Sequence, residues 1–89
     1  MATLFVRVTV ADYKAWRKVF DEVQPTFAGH GFKSTAVYQT ADNPNDVTVT
    51  YDFDNVESAR TFTQAEELKN AMQRSGVIGA PTIWITNKV

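Results

Sequence analysis

Cysteine is absent from this chain of 89 residues, which removes disulfides, thiolate metal sites and cysteine nucleophiles at once. Histidine occurs once, as His30, and a single imidazole among scattered carboxylates gives no recognisable metal-ligand spacing. Charge is nearly balanced, with a net value of -1, so no field draws in nucleic acid or anionic lipid. Long apolar runs are missing too. Nothing approaches the roughly 20 residues that cross a bilayer, and no basic segment with an apolar run opens the chain; the expectation is no membrane and a cytoplasmic location. Glycine and proline are few, 4 and 3, and no linker, repeat, phosphate-binding glycine loop or GxSxG elbow is built from them. The expectation is one domain over residues 1–89. A domain this small leaves much of its surface wet, which makes self-association a natural supplement to its stability.

What is present is alternation. Val47, Val49, Tyr51 and Phe53 interleave with Thr48, Thr50 and Asp52, the period of a strand with two different faces. Leu4, Val6, Val8 and Val10 interleave with Phe5, Arg7 and Thr9 in the same way, and Ile83 and Ile85 with Thr82, Trp84 and Thr86. A weaker alternation runs from Phe32 to Thr40. Between it and the Val47 strand lies Asp42-Asn43-Pro44-Asn45-Asp46, nearly all turn formers, which predicts a hairpin.

Two helical segments separate the strands. Asp12 is an N-cap candidate, and Tyr13, Trp16, Val19, Phe20, Val23 and Phe27 follow at the spacing of one helical face. Pro25 predicts a kink or restart, and Gly29-His30-Gly31 an end. Asp54 with Glu57 reads as a capping box for a second helix carrying Val56, Ala59 and Phe62. Thr63 with Glu66 reads as another, restarting the helix after a break, with Leu68, Ala71 and Met72 inward and a stop at Gly76.

The order strand, helix, strand, strand, helix, strand predicts an α+β, ferredoxin-like βαββαβ fold: a four-stranded antiparallel sheet with its helices on one face. Val6, Val8, Val49, Tyr51, Ile83 and Ile85 should then meet the helices. The other face should carry Phe5, Arg7, Thr9, Thr48, Thr50, Asp52, Thr82, Trp84 and, in one hairpin register, Tyr38. Phe5, Tyr38 and Trp84 together represent about 450–750 Å² of aromatic surface, against roughly 300–600 Å² for the largest apolar patch of a monomer. Two readings follow, a wet face with scattered aromatics and a sheet-to-sheet homodimer. If their strands are neighbours, Arg7 and Asp52 are expected to meet diagonally on this face in either reading. The RNA-recognition fold shares this element order, but its third strand needs outward basic and aromatic residues where this chain has Thr48, Thr50 and Asp52; no nucleic acid is expected as a partner.

Asp12-Tyr13 with Trp16 and Phe20-Asp21, Asp42-Asn43-Pro44-Asn45 before Val47, Ser58-Ala59-Arg60 with Phe62, and Leu68, Ala71-Met72, Gly76-Val77, Gly79 and Pro81 together resemble the small dimeric α+β-barrel proteins, a group that includes antibiotic-biosynthesis monooxygenases. The resemblance implies a homodimer with facing sheets and a ligand pocket between each sheet and its helices. It also implies activities such as cofactor-free oxygenation of aromatic polyketides. A heme-degrading branch uses an Asn, His and Trp set, from which this chain departs, its one histidine lying in a glycine-flanked turn.

A pocket so placed would be lined by Trp16, Phe20, Tyr51, Phe53, Phe62 and Met72. The competing reading is that these side chains are simply the core. Tyr51 leans toward a pocket, because a buried phenol needs a hydrogen-bond partner, and it is the first candidate for a catalytic group. His30 is the second, a general base near pH 7 if its turn folds over the pocket mouth, or else a solvated turn residue. Two functions stand side by side. One is an enzyme, a monooxygenase or cyclase of secondary metabolism, handling a small apolar or aromatic metabolite without metal or cofactor. The other is a non-catalytic, ligand-sensing or accessory module with a filled core.

Overall fold

A computed structural model describes residues Met1–Val89. Strand β1 (Ala2–Val10) leads into helix α1 (Tyr13–Phe27), a short 3-10 turn (Ala28–His30), and the paired strands β2 (Ser34–Thr40) and β3 (Asn43–Phe53). Helices α2 (Val56–Thr63) and α3 (Glu66–Arg74) follow, and β4 (Val77–Asn87) closes the chain. The sheet has the order β2-β3-β1-β4, antiparallel throughout, which is the predicted ferredoxin-like arrangement. No helix is long and apolar enough to cross a membrane.

The alternation seen in the sequence becomes the division between the two faces. Leu4, Val6 and Val8 lie opposite Tyr51, Val49 and Val47, and all six are buried beneath the helices. Trp16, Phe20 and Phe27 of α1, Ala59 and Phe62 of α2, and Leu68 and Ala71 of α3 cover them. Ile85 packs against this core, but Ile83 departs from expectation. It sits beside Val6 on the same face and remains 38% exposed, because β4 is an edge strand and no helix covers it there.

On the outer face the register aligns Tyr38, Thr48, Arg7 and Thr82 in one row, Ala36, Thr50, Phe5 and Trp84 in the next, and Ser34, Asp52, Thr3 and Thr86 in a third. Tyr38 is therefore outward, and all six expected dimer-face residues, Phe5, Arg7, Tyr38, Thr50, Asp52 and Trp84, share this side. The aromatics do not form one patch. Phe5 stacks on Trp84, while Tyr38, 58% exposed, stands two strands from that pair.

Local expectations needed correction at five points. The hairpin turn contains only Ala41 and Asp42; Pro44, Asn45 and Asp46 form a bulge in β3 between Asn43, opposite Thr40, and Val47, opposite Gln39. Helix α2 is capped by Asn55, whose Oδ1 accepts from the Ser58 amide at 2.9 Å, while Asp54 faces Lys33 instead. Thr63 caps nothing: its hydroxyl donates to the Arg60 carbonyl inside α2, and α3 begins after Ala65 with no side-chain cap. Pro25 does not restart α1, which runs unbroken to Phe27 before tightening into the 3-10 turn closed by Gly31 at φ 86°; so near the end of the helix, the lost amide removes only one bond. Finally, β4 is longer than Thr82–Thr86, and Gly79, Ala80 and Pro81 lie within it.

Arg7 and Asp52 do not meet. Asp46, brought alongside by the β3 bulge, takes both Arg7 Nε (3.0 Å) and Nη2 (2.6 Å) and the Thr40 hydroxyl (2.8 Å). The Arg7 hydrogen bonds, aided by Thr40, hold the Asp46 carboxyl down at about 2. Asp52 lies opposite Thr3, two rows from Arg7, and accepts from the Ser34 and Thr3 hydroxyls at 2.6 and 2.7 Å; these bonds lower its pKa, Ser34 foremost.

Candidate functional site

Helix α1 lies over the middle of the sheet with Trp16, Val19, Phe20, Val23 and Phe27 turned downward, and α3 lies beside it with Leu68, Ala71, Met72 and Ser75 inward. Between these side chains and Val6, Val8, Val49 and Tyr51 of the sheet there is a partly open cavity of about 40 Å³. It is large enough for a few waters and far below the roughly 300 Å³ at which small-molecule pockets begin. No charged side chain lines it.

Of the sequence-predicted pocket residues, Trp16, Phe20, Tyr51 and Met72 come together around this cavity. Phe53 and Phe62 do not. Phe62 is fully buried and edge-on to Tyr51 and Phe27, with ring centroids 4.9 and 5.3 Å away, and Phe53 lies at 5.8 Å from it; the two are core. Val19, Val23 and Phe27, read from the sequence as the apolar face of α1 and not as pocket residues, also line the cavity. Ser75 gave no signal, and its hydroxyl is already committed to the Met72 carbonyl at 3.2 Å.

Tyr51 is the one phenol in the cavity wall. Burial pushes its pKa well above the ordinary tyrosine range, and the Gln24 side chain pulls it back only in part. At neutral pH the phenol is therefore protonated. It can donate a hydrogen bond to an oxygen of a bound molecule, and it cannot serve as a resting general base. His30 lines none of the cavity. Its ring rests against Phe62 at 5.1 Å, and Nε2 faces Glu67 Oε2 at 3.4 Å, so the turn is tied to α3 by a carboxylate that sequence spacing alone did not bring near. Glu67 is lowered mainly by its own backbone amide and further by His30. Nowhere do three His, Asp or Glu side chains converge as metal ligands would.

Three larger hollows lie outside the core, the smallest of about 370 Å³ between α1 and the end of α3 around Lys18, Glu22 and Arg74. A second, of about 400 Å³, runs between α3 and β4 and is lined by Leu68, Lys69, Met72, Gln73, Val77, Gly79, Pro81, Ile83 and Thr63. The third, of about 540 Å³, is on the outer sheet face around Arg7, Asp46, Asn43, Thr82 and Trp84.

No family model matches this chain, and no curated protein matches it in sequence. Solved structures do match in shape. A provisionally assigned antibiotic biosynthesis monooxygenase from Bordetella bronchiseptica superimposes with a TM-score of 0.84 at 15% identity, over 99% of this chain and 96% of that one. SnoaB from Streptomyces nogalater, a cofactor-independent oxygenase, gives 0.79 at 15% identity over 99% and 92%. A Nitrosomonas europaea protein, also provisionally assigned as an antibiotic biosynthesis monooxygenase, gives 0.78 at 12% identity over 100% and 99%. The chain thus has, from end to end, the ferredoxin-like α+β fold of the antibiotic biosynthesis monooxygenase-like structures.

Proposed function

We propose that this chain is a homodimeric protein that takes a small apolar or aromatic metabolite between its sheet and its helices and oxygenates it without a metal or cofactor. The observation that carries the reading is the uncharged cavity under α1 and α3 with the protonated phenol of Tyr51 in its wall. The likeness of fold to a cofactor-independent oxygenase supports it. In such a reaction the substrate supplies the electrons: an activated CH₂ flanked by aromatic rings and one O₂ become a ketone and one water. Tyr51 would donate to a substrate oxygen that gains negative charge as the carbon loses a proton to a cavity water, the proton ending in the water that leaves, a role open to a group kept neutral by burial. His30 has no part in this reading. The homodimer is supported by the Phe5–Trp84 stack and Tyr38 on the outer sheet face.

The size of the cavity favours a second reading, an accessory or sensing module with a filled core, because about 40 Å³ admits no aromatic ring without movement of its walls. Oxygen uptake with an anthrone as substrate, in buffer containing a strong chelator, separates the two. The enzyme reading expects one O₂ consumed per ketone formed and a loss of turnover in Tyr51→Phe. Uptake no faster than without protein, together with no anthrone-induced rise in melting temperature, leaves the accessory module.

A further inference from the structure

The cavity under α1 and α3 and the α3–β4 groove share two side chains in their walls. Leu68 and Met72, one turn apart on α3, line both hollows. Leu68 is buried, whereas Met72 is partly exposed. Methionine is unbranched and turns about three side-chain bonds, so it yields where leucine does not. A swing of Met72 would join the cavity to a groove of about 400 Å³, which is within the range of small-molecule sites.

The far wall of the groove is also unusual. Thr82 pairs with Arg7 and Ile78 with Thr9, so β4 places three residues, Gly79, Ala80 and Pro81, where β1 has only Val8. The edge strand bulges there, and Gly79 and Pro81 line the groove. Gly79 has φ 73°, a conformation suited to glycine, and no atom stands within 4 Å of where a Cβ would be. The opening is thus built into both walls. Among the groove's nine lining residues Lys69 alone is charged, and it is in none of the five ion pairs of the chain. Glu66, one turn earlier on α3, is not part of the lining.

We propose that the α3–β4 groove is the access path and outer subsite of the ligand pocket, with Met72 as its gate and Lys69 as the counter-charge for an anionic group. The ligand class is then a small aromatic or apolar acid, its flat body inward against Trp16 and Tyr51 and its carboxylate outward at Lys69. This inference rests on the apolar-ligand reading above and narrows it. A neutral molecule of equal shape gains the inner contacts and forgoes the outer one.

The test compares 2-naphthoate with 2-naphthamide, alike in shape and different in charge, by titration of protein labelled at the methionine methyls. With only 2 methionines in the chain, Met1 and Met72, assignment is direct. Both probes should shift the Met72 methyl and the Trp16 indole signal. Lys69→Gln, at an exposed position, should weaken 2-naphthoate by about five-fold, the scale of one exposed charge contact, and leave 2-naphthamide unchanged; added salt should do the same. Met72→Ala should speed association of both. Equal effects of Lys69→Gln on the two probes, or none on either, overturn the acid-binding subsite and leave the apolar pocket standing. A Trp16 shift without a Met72 shift overturns the gate. No response to either probe, in wild type or Met72→Ala, overturns the pocket itself.

Discussion

Phe5 and Trp84 stack face to face across β1 and β4, ring centroids 5.0 Å apart and planes within 2° of each other. They do so on the side of the sheet that no helix covers, with Trp84 still 41% exposed. A second copy laid against this face would complete the burial of both rings. Trp84→Arg should therefore weaken self-association by thirty-fold or more, the scale of about 2 kcal/mol for an aromatic anchor. Sedimentation is expected to give twice the 10.0 kDa chain mass for wild type and the chain mass for the variant at the same low micromolar concentration. An unchanged sedimentation coefficient would place the contact elsewhere.

Asp46 links acid stability to the β3 bulge. Its folded pKa, held near 2 first by the Arg7 hydrogen bonds, lies below the unfolded value of about 3.9. A depressed carboxylate contributes stability that is complete above the unfolded pKa and disappears as pH falls through the folded one. Asp46→Asn should lower the melting temperature at pH 6, and the gap to wild type should close between about pH 4 and pH 2. A gap that is the same at pH 6 and pH 2 would show that the carboxylate's charge is not what matters.

Phe62 and Met72 were joined in one pocket on sequence grounds, and the structure assigns them different duties. Phe62, fully buried among Phe27, Tyr51 and Phe53, should cost about 3–5 kcal/mol when cut to alanine. A domain of this length holds roughly 4–13 kcal/mol in all, so Phe62→Ala should remove about a quarter of the stability or more and lower the urea midpoint by that share. Met72→Ala, at a partly exposed wall, should cost less than half as much. Equal losses would make Met72 an ordinary core residue.

Asn55, not Asp54, caps α2. Asn55→Ala should cost about 1 kcal/mol. Asp54→Ala should fall within about 0.5 kcal/mol of wild type, because its contact with Lys33 is an exposed pair 3.6 Å long. The reverse order in paired denaturation curves would restore the capping box read from Asp54 and Glu57.

Strand faces were legible because one alternation, Val47 to Phe53, is strict enough to withstand any neighbour, and Ala2 to Val8 lies opposite it residue for residue. Features that depend on which residue lies opposite which were not legible. Asn43 to Asp46 has turn composition, yet it was drawn into a strand by Thr40, Gln39 and Arg7, whose side chains grip Asp46 and the Pro44 carbonyl. Gly79 to Pro81 lie outside the alternation of Thr82 to Thr86, and nothing local shows that Val77 and Ile78 before them pair with Val10 and Thr9. The same gap misdirected Arg7 toward Asp52. In the candidate site the cast was partly readable, four of six pocket residues, since inward faces follow from period. The space left between them was not, because a cavity is decided by differences of a methyl group in how side chains meet.

The proline in the β4 bulge also bears on how the protein survives crowding. An outermost strand offers its unpaired amides and carbonyls to any passing chain, and eleven residues of it would make a long template for fibril growth. Pro81 withholds an amide, and the displaced backbone around it breaks the straight row that a recruited strand would have to follow. The same irregularity that widens the groove thus also protects the molecule from runaway stacking at its margin.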